Sequence, residues 1–88
     1  MHAVVTRVTI HDEDAADSFL KEQVVPRTSG APGFVAGYWV RTGSNTGNSI
    51  AVFESQEQAQ AVVDNIQQPP EGAVTIEGMD VGEVVASA

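Results

Sequence analysis

Apolar positions along this chain recur at a period of two in some stretches and at three to four in others, and that change of period divides it into six elements. Residues 2–10 are rich in β-branched types, with Val4, Thr6, Val8 and Ile10 alternating against Ala3, Val5, Arg7 and Thr9. This predicts a first strand, interior to a sheet. His11-Asp12-Glu13-Asp14 then changes the pattern: Asp12 suits a helix N-cap, and Glu13 and Asp14 suit the positive end of the helix dipole. Ala16, Phe19, Leu20 and either Gln23 or Val24 follow at helical spacing, so one stripe faces a core. Pro26 is expected to end or bend this helix, and Thr28-Ser29-Gly30 to unwind it.

Ala31-Pro32-Gly33 makes a hard corner, because Pro32 drives Ala31 out of helical geometry and Gly33 accepts backbone angles other residues avoid. A second strand is predicted from Phe34 to about Thr42; Phe34, Tyr38 and Trp39 are three of the chain's five aromatics, and Gly37 leaves room beside them. Gly43 to Gly47 is turn chemistry, and Asn48 to Glu54 is a third strand. A hairpin folded about Asn45 would set Trp39 opposite Ala51 and Gly37 opposite Phe53. One face would then hold Val35, Trp39, Arg41 and Phe53, and the other Phe34, Tyr38, Val40, Ile50 and Val52.

Ser55-Gln56-Glu57-Gln58 fits a capping box, and Ala59, Val62, Val63 and Ile66 repeat at i, i+3, i+4, i+7, which predicts a second helix. Gln67-Gln68-Pro69-Pro70-Glu71-Gly72 should stop it. Ala73 to Val85 reads as a last strand with a break or bulge near Gly78. Strand, helix, strand, strand, helix, strand in one 88-residue domain implies an α+β, ferredoxin-like βαββαβ fold with a four-stranded antiparallel sheet and both helices on one side. Strands one to three are apolar on both parities, so the bare face of the sheet needs a cover, and a second copy's sheet is the simplest one.

Composition sharpens this. A chain this short buries roughly 60–65% of its unfolded surface, and it has no cysteine to cross-link the rest. Twelve acids against four bases give a net charge of −8, with Arg7, Lys21, Arg27 and Arg41 dispersed, which argues against nucleic acid and against anionic membranes as partners. Absent cysteines also remove thiol catalysis and thiolate metal sites. The first ten residues hold no basic leader with an apolar core, and no apolar run is long enough to span a bilayer, so a cytoplasmic protein is expected.

Ala31-Pro32-Gly33-Phe34-Val35-Ala36-Gly37-Tyr38, followed by Ser49-Ile-Ala-Val-Phe-Glu-Ser-Gln-Glu-Gln-Ala59, resembles the small antibiotic biosynthesis monooxygenase family of the dimeric α+β barrel superfamily. The resemblance covers nearly the whole chain. It implies a homodimer whose two sheets face each other. In some members it implies oxidation of a polycyclic aromatic or quinol-type substrate by dioxygen without metal or flavin, and in others haem degradation. The haem-degrading members carry a strand-one asparagine, a tryptophan near helix two and a histidine beyond it. This chain has Thr6 and Arg7 on strand one, no aromatic from Gln56 to Gln68 and no histidine after His11, so neither haem nor another cofactor is expected.

The candidate pocket lies between helices and sheet and is lined by Trp39, Phe53, Arg41 and Arg7, with a small aromatic molecule as its ligand. Trp39 and Phe53 would wall a planar molecule, or else pack the core. Arg41 would stabilise an oxyanion or phenolate, or else pair with one of the twelve acids at a strand end. Arg7, a charge in mid-strand, must reach solvent, a carboxylate or a ligand. His2 and His11 sit at opposite ends of one strand and cannot share an ion, so no metal site is expected, and the pattern contains no nucleophile, base and orienter at diagnostic spacing. Two functions are compatible with this: a small cofactor-independent monooxygenase, or a non-catalytic ligand-binding or dimerising accessory domain.

Overall fold

Strand β1 (His2–Ile10) leads through the Asp12 cap into α1 (Glu13–Phe19), which continues without a break through a π-helical turn, π1 (Leu20–Val24), into α2 (Val25–Ser29). Strands β2 (Phe34–Arg41) and β3 (Thr46–Phe53), helix α3 (Gln56–Asp64) and strand β4 (Val74–Glu83) complete the chain. The architecture is that of a computed structural model, which describes residues 1–66 and 69–88. The part of the expected helix stop that falls on Gln67 and Gln68 lies outside the described residues.

The sheet order is β2-β3-β1-β4, all antiparallel, with β1 interior. This is the ferredoxin-like βαββαβ arrangement that the order of elements implies. The side chain of Asp12 accepts a bond from the Ala15 N–H at 3.1 Å. At α3 the Gln58 N–H donates to Ser55 Oγ and the Ser55 N–H to Gln58 Oε1, both at 3.2 Å, so the capping box closes in both directions. The bulge in β4 is present as a register shift: Arg7 pairs with Gly78, but Val8 pairs with Ile76, leaving Glu77 unpaired.

The structure departs from the expectation in three places. Of the two outcomes expected at Pro26, ending or bending the helix, the first does not occur: the helix runs on to Ser29 with Gly30 as its C-cap. Proline has no N–H, and its ring crowds the carbonyl four residues back. The wider π turn just before it, in which the Val25 N–H reaches the Leu20 carbonyl, loosens the coil there and lets the helix continue. The second departure is the hairpin register. The hairpin is centred on Ser44 rather than Asn45, so Trp39 pairs with Ser49 and Gly37 with Ala51. A two-residue slip preserves which side each residue faces, so Trp39, Arg41 and Phe53 stay on one face and Tyr38, Val40 and Ile50 on the other. Third, a bulge at Val35 reverses the start of β2. Phe34 therefore joins the helix side, where its ring meets Phe53 edge-on at 5.8 Å between centroids, and Val35 is turned out to solvent.

The core is small and built from Val4, Ala51, Phe53 and Ala59, with Phe34, Val62, Val63, Met79 and Val81 packed around them. Phe53 is 0% exposed and is the one large side chain fully buried among the described residues. Gly33 completes the corner: its φ is 81°, and a Cβ there would collide with the Gln58 amide, so the turn and the capping box interlock. On the opposite sheet face Val5, Tyr38, Val40 and Ile50 lie together and stand exposed, Tyr38 to 64%.

Candidate functional site

The helix side of the sheet is hollow as well as apolar. The residues that the first helix turns inward (Ala16, Leu20, Val24) stand across a gap from Val4, Thr6 and Val8 of β1, leaving a half-open cleft of about 1010 Å3. That is the upper end of the range for small-molecule sites, about 300–1,000 Å3. Its wall is mostly apolar, with Met79 and Ile76 of β4 on one flank and Trp39 on the other. Trp39 is half-buried, and its ring covers Gly37, where a Cβ would come within 2.9 Å of the indole. A larger residue at 37 would push the indole off the sheet.

Arg41, at the end of β2, reaches over the rim of the cleft to α1. Its Nη1–H donates to Glu13 Oε1 at 2.8 Å and its Nη2–H to Asp17 Oδ1 at 2.6 Å. One guanidinium thus holds two carboxylates one helical turn apart, fastening the sheet edge to the first turns of the helix. Of the two readings open for Arg41, pairing with acids is the one its geometry fills in this state.

The four expected pocket residues separate. Trp39 and Arg41 line the cleft. Phe53 lies beneath it, wholly enclosed in the core against Phe34, so it supports the floor without facing a ligand. Arg7 does not line the cleft. Alternation along β1 sends Thr6 and Val8 into it and Arg7 to the opposite face, where Arg7 is exposed. His2 and His11 sit at the two ends of β1, and His11 Nε2 hydrogen-bonds Thr75 Oγ1 at 2.7 Å.

Sequence reasoning missed Lys21 and Arg27, both of which line the cleft. Their signal was present: Asp17, Leu20, Lys21, Val24 and Arg27 follow one helical stripe at three- and four-residue steps. The expected core stripe runs only as far as Val24, short of Arg27.

A helix-roofed four-stranded antiparallel sheet is the ferredoxin-like fold that the order of elements implies, and solved structures share it. Among solved structures the chain is similar to HapK from Hahella chejuensis, with a TM-score of 0.70 and 11% identity over 100% of this chain and 96% of that one. It is similar also to SnoaB, a cofactor-independent oxygenase from Streptomyces nogalater, with a TM-score of 0.66 and 22% identity over 98% of this chain and 94% of that one. A dimeric ferredoxin-like protein from an uncultured marine organism aligns with a TM-score of 0.62 and 15% identity over 100% and 98% of the two chains. At these identities the likeness is one of fold. No family model matches the sequence, and no curated protein matches it.

Proposed function

We propose that this protein is a small cofactor-independent monooxygenase that takes an aromatic or quinol-type molecule into the cleft beside Trp39 and works as a homodimer joined through its bare sheet faces. The observation that carries the reading is the cleft: about 1010 Å3 with a largely apolar lining, in a chain of 88 residues that would be more stable had it filled that space. The structural likeness to a cofactor-independent oxygenase supports it. A dimer is supported by the exposed Val5, Tyr38, Val40 and Ile50 on the far face and by the dimeric ferredoxin-like neighbour. A cytoplasmic location belongs to the same proposal; among the described residues no helix is long and apolar enough to cross a membrane.

The chemistry asked of such a site is limited. An activated methylene of the substrate loses two hydrogens and gains one oxygen atom from dioxygen, and the second oxygen leaves as water with those hydrogens. The substrate itself supplies the electrons. The protein's part is to exclude water, to hold the ring against the Trp39 wall and to favour the substrate's anion over its neutral form. The test is oxygen uptake with an anthrone or a quinol, wild type against Trp39→Ala and Arg41→Ala. Turnover above the buffer rate that falls with Trp39→Ala supports the reading. A rate equal to buffer for every substrate leaves a non-catalytic binding domain in its place.

A further inference from the structure

We infer that the cleft selects amphipathic anions: molecules with an apolar body of aromatic size and one acidic group, held by Lys21 and Arg27 at the roof. This rests on the proposal that the cleft binds a small molecule, and adds to it the charge of the ligand. The observation is how unevenly the chain's charges are placed. Three of its four bases, Lys21, Arg27 and Arg41, line this one cleft, while only two of its twelve acids, Asp17 and Glu57, do so. A chain of net charge −8 thus concentrates its positive charge at this large apolar hollow.

Within the cleft the cations differ in what is left to them. Arg41 is held by Glu13 and Asp17, so its charge is already matched. Among the described residues Lys21 has no ion-pair partner, and it stands on the π turn between Leu20 and Val24, both of which face the hollow. Arg27 lies further along the same stripe on α2, so the two cations lie along the roof about one and a half helical turns apart. A carboxylate or phenolate entering with its ring toward Trp39 would meet them there. The low-dielectric walls of a cleft focus such a field, and the acidic surface elsewhere repels the same anion, which raises the contrast.

The experiment is a calorimetric titration of the full chain with 9-anthracenecarboxylate and with its neutral amide, at low and high salt, for wild type, Lys21→Gln and Lys21→Gln/Arg27→Gln. Both side chains are exposed, and circular dichroism checks that the fold is kept. The expected result is that the carboxylate binds about tenfold more tightly than the amide at low salt and that most of this advantage is lost at high salt. The double variant should weaken the carboxylate by about the same factor and leave the amide within about twofold. Equal affinity for the two ligands, or a carboxylate affinity unmoved in the double variant, overturns the inference and leaves the binding cleft standing. Failure of both ligands to bind wild type removes the binding cleft itself and the inference with it.

Discussion

The two faces of the sheet are both apolar and both left unfilled by the chain, but in different ways. On one face the chain supplies a roof and then holds it off, so that Trp39, Val4 and Ile76 border a concave space. On the other it supplies nothing, and Val5, Tyr38, Val40 and Ile50 form a flat, open patch. A concave surface with walls suits a small molecule, whereas a flat apolar sheet suits another flat apolar sheet. On the proposed reading, the same strand alternation would specify a ligand site on one face and an assembly surface on the other, according to whether helices cross it.

That contrast can be broken or sharpened in order of expected effect. Phe53→Ala removes the floor of the roofed face and should cost about 3–5 kcal/mol, read as a lower urea midpoint. An outcome under about 1 kcal/mol would mean the roofed face is not what holds the fold. Ile50→Asp places a charge on the bare face only. It should weaken self-association by at least about thirtyfold, a hot-spot cost of about 2 kcal/mol, seen by sedimentation as a shift to monomer, while helix content and cleft binding are retained. Unchanged sedimentation would sink the sheet-to-sheet dimer. Gly33→Ala strains the corner through its positive φ and its collision with Gln58; about 2 kcal/mol of stability should go, with the dimer intact. Ser55→Ala opens one half of the capping box under the roofed face and should cost about 1 kcal/mol in thermal unfolding. The smallest effect is expected from Arg41→Gln, whose partly exposed ion pairs should contribute no more than about 1 kcal/mol; a larger loss would mean the Arg41 link to α1 is a structural strut.

Much of this was legible in the sequence because it is written in local periods. The alternation of 2–10, the Asp12 cap, the Ser55 to Gln58 box and the Gly33 corner are each a few residues long and are found where their patterns place them. What was not legible depends on how neighbouring segments accommodate one another. The Val35 bulge turns Phe34 inward to meet Phe53, a contact between residues 19 positions apart that no local period announces. The π turn ahead of Pro26 is a compromise between a proline and a helix with a sheet beneath it, and missing it hid Arg27 from the candidate site. Arg7 was assigned to the cleft because it is charged and central; both parities of β1 are apolar, so it takes the structure to show that Arg7 shares the bare face with Val5.

The Arg41 link to Glu13 and Asp17 gives the first helix two anchored ends, one ionic at its start and one covalent at the Gly33 corner. A beam fixed at both ends yields in its middle, and the middle here is the stretch whose hydrogen bonds are spaced as a π turn. On the proposed binding, a guest passing Leu20 and Val24 would displace that middle turn while both supports hold, so the doorway would widen there and nowhere else along the helix.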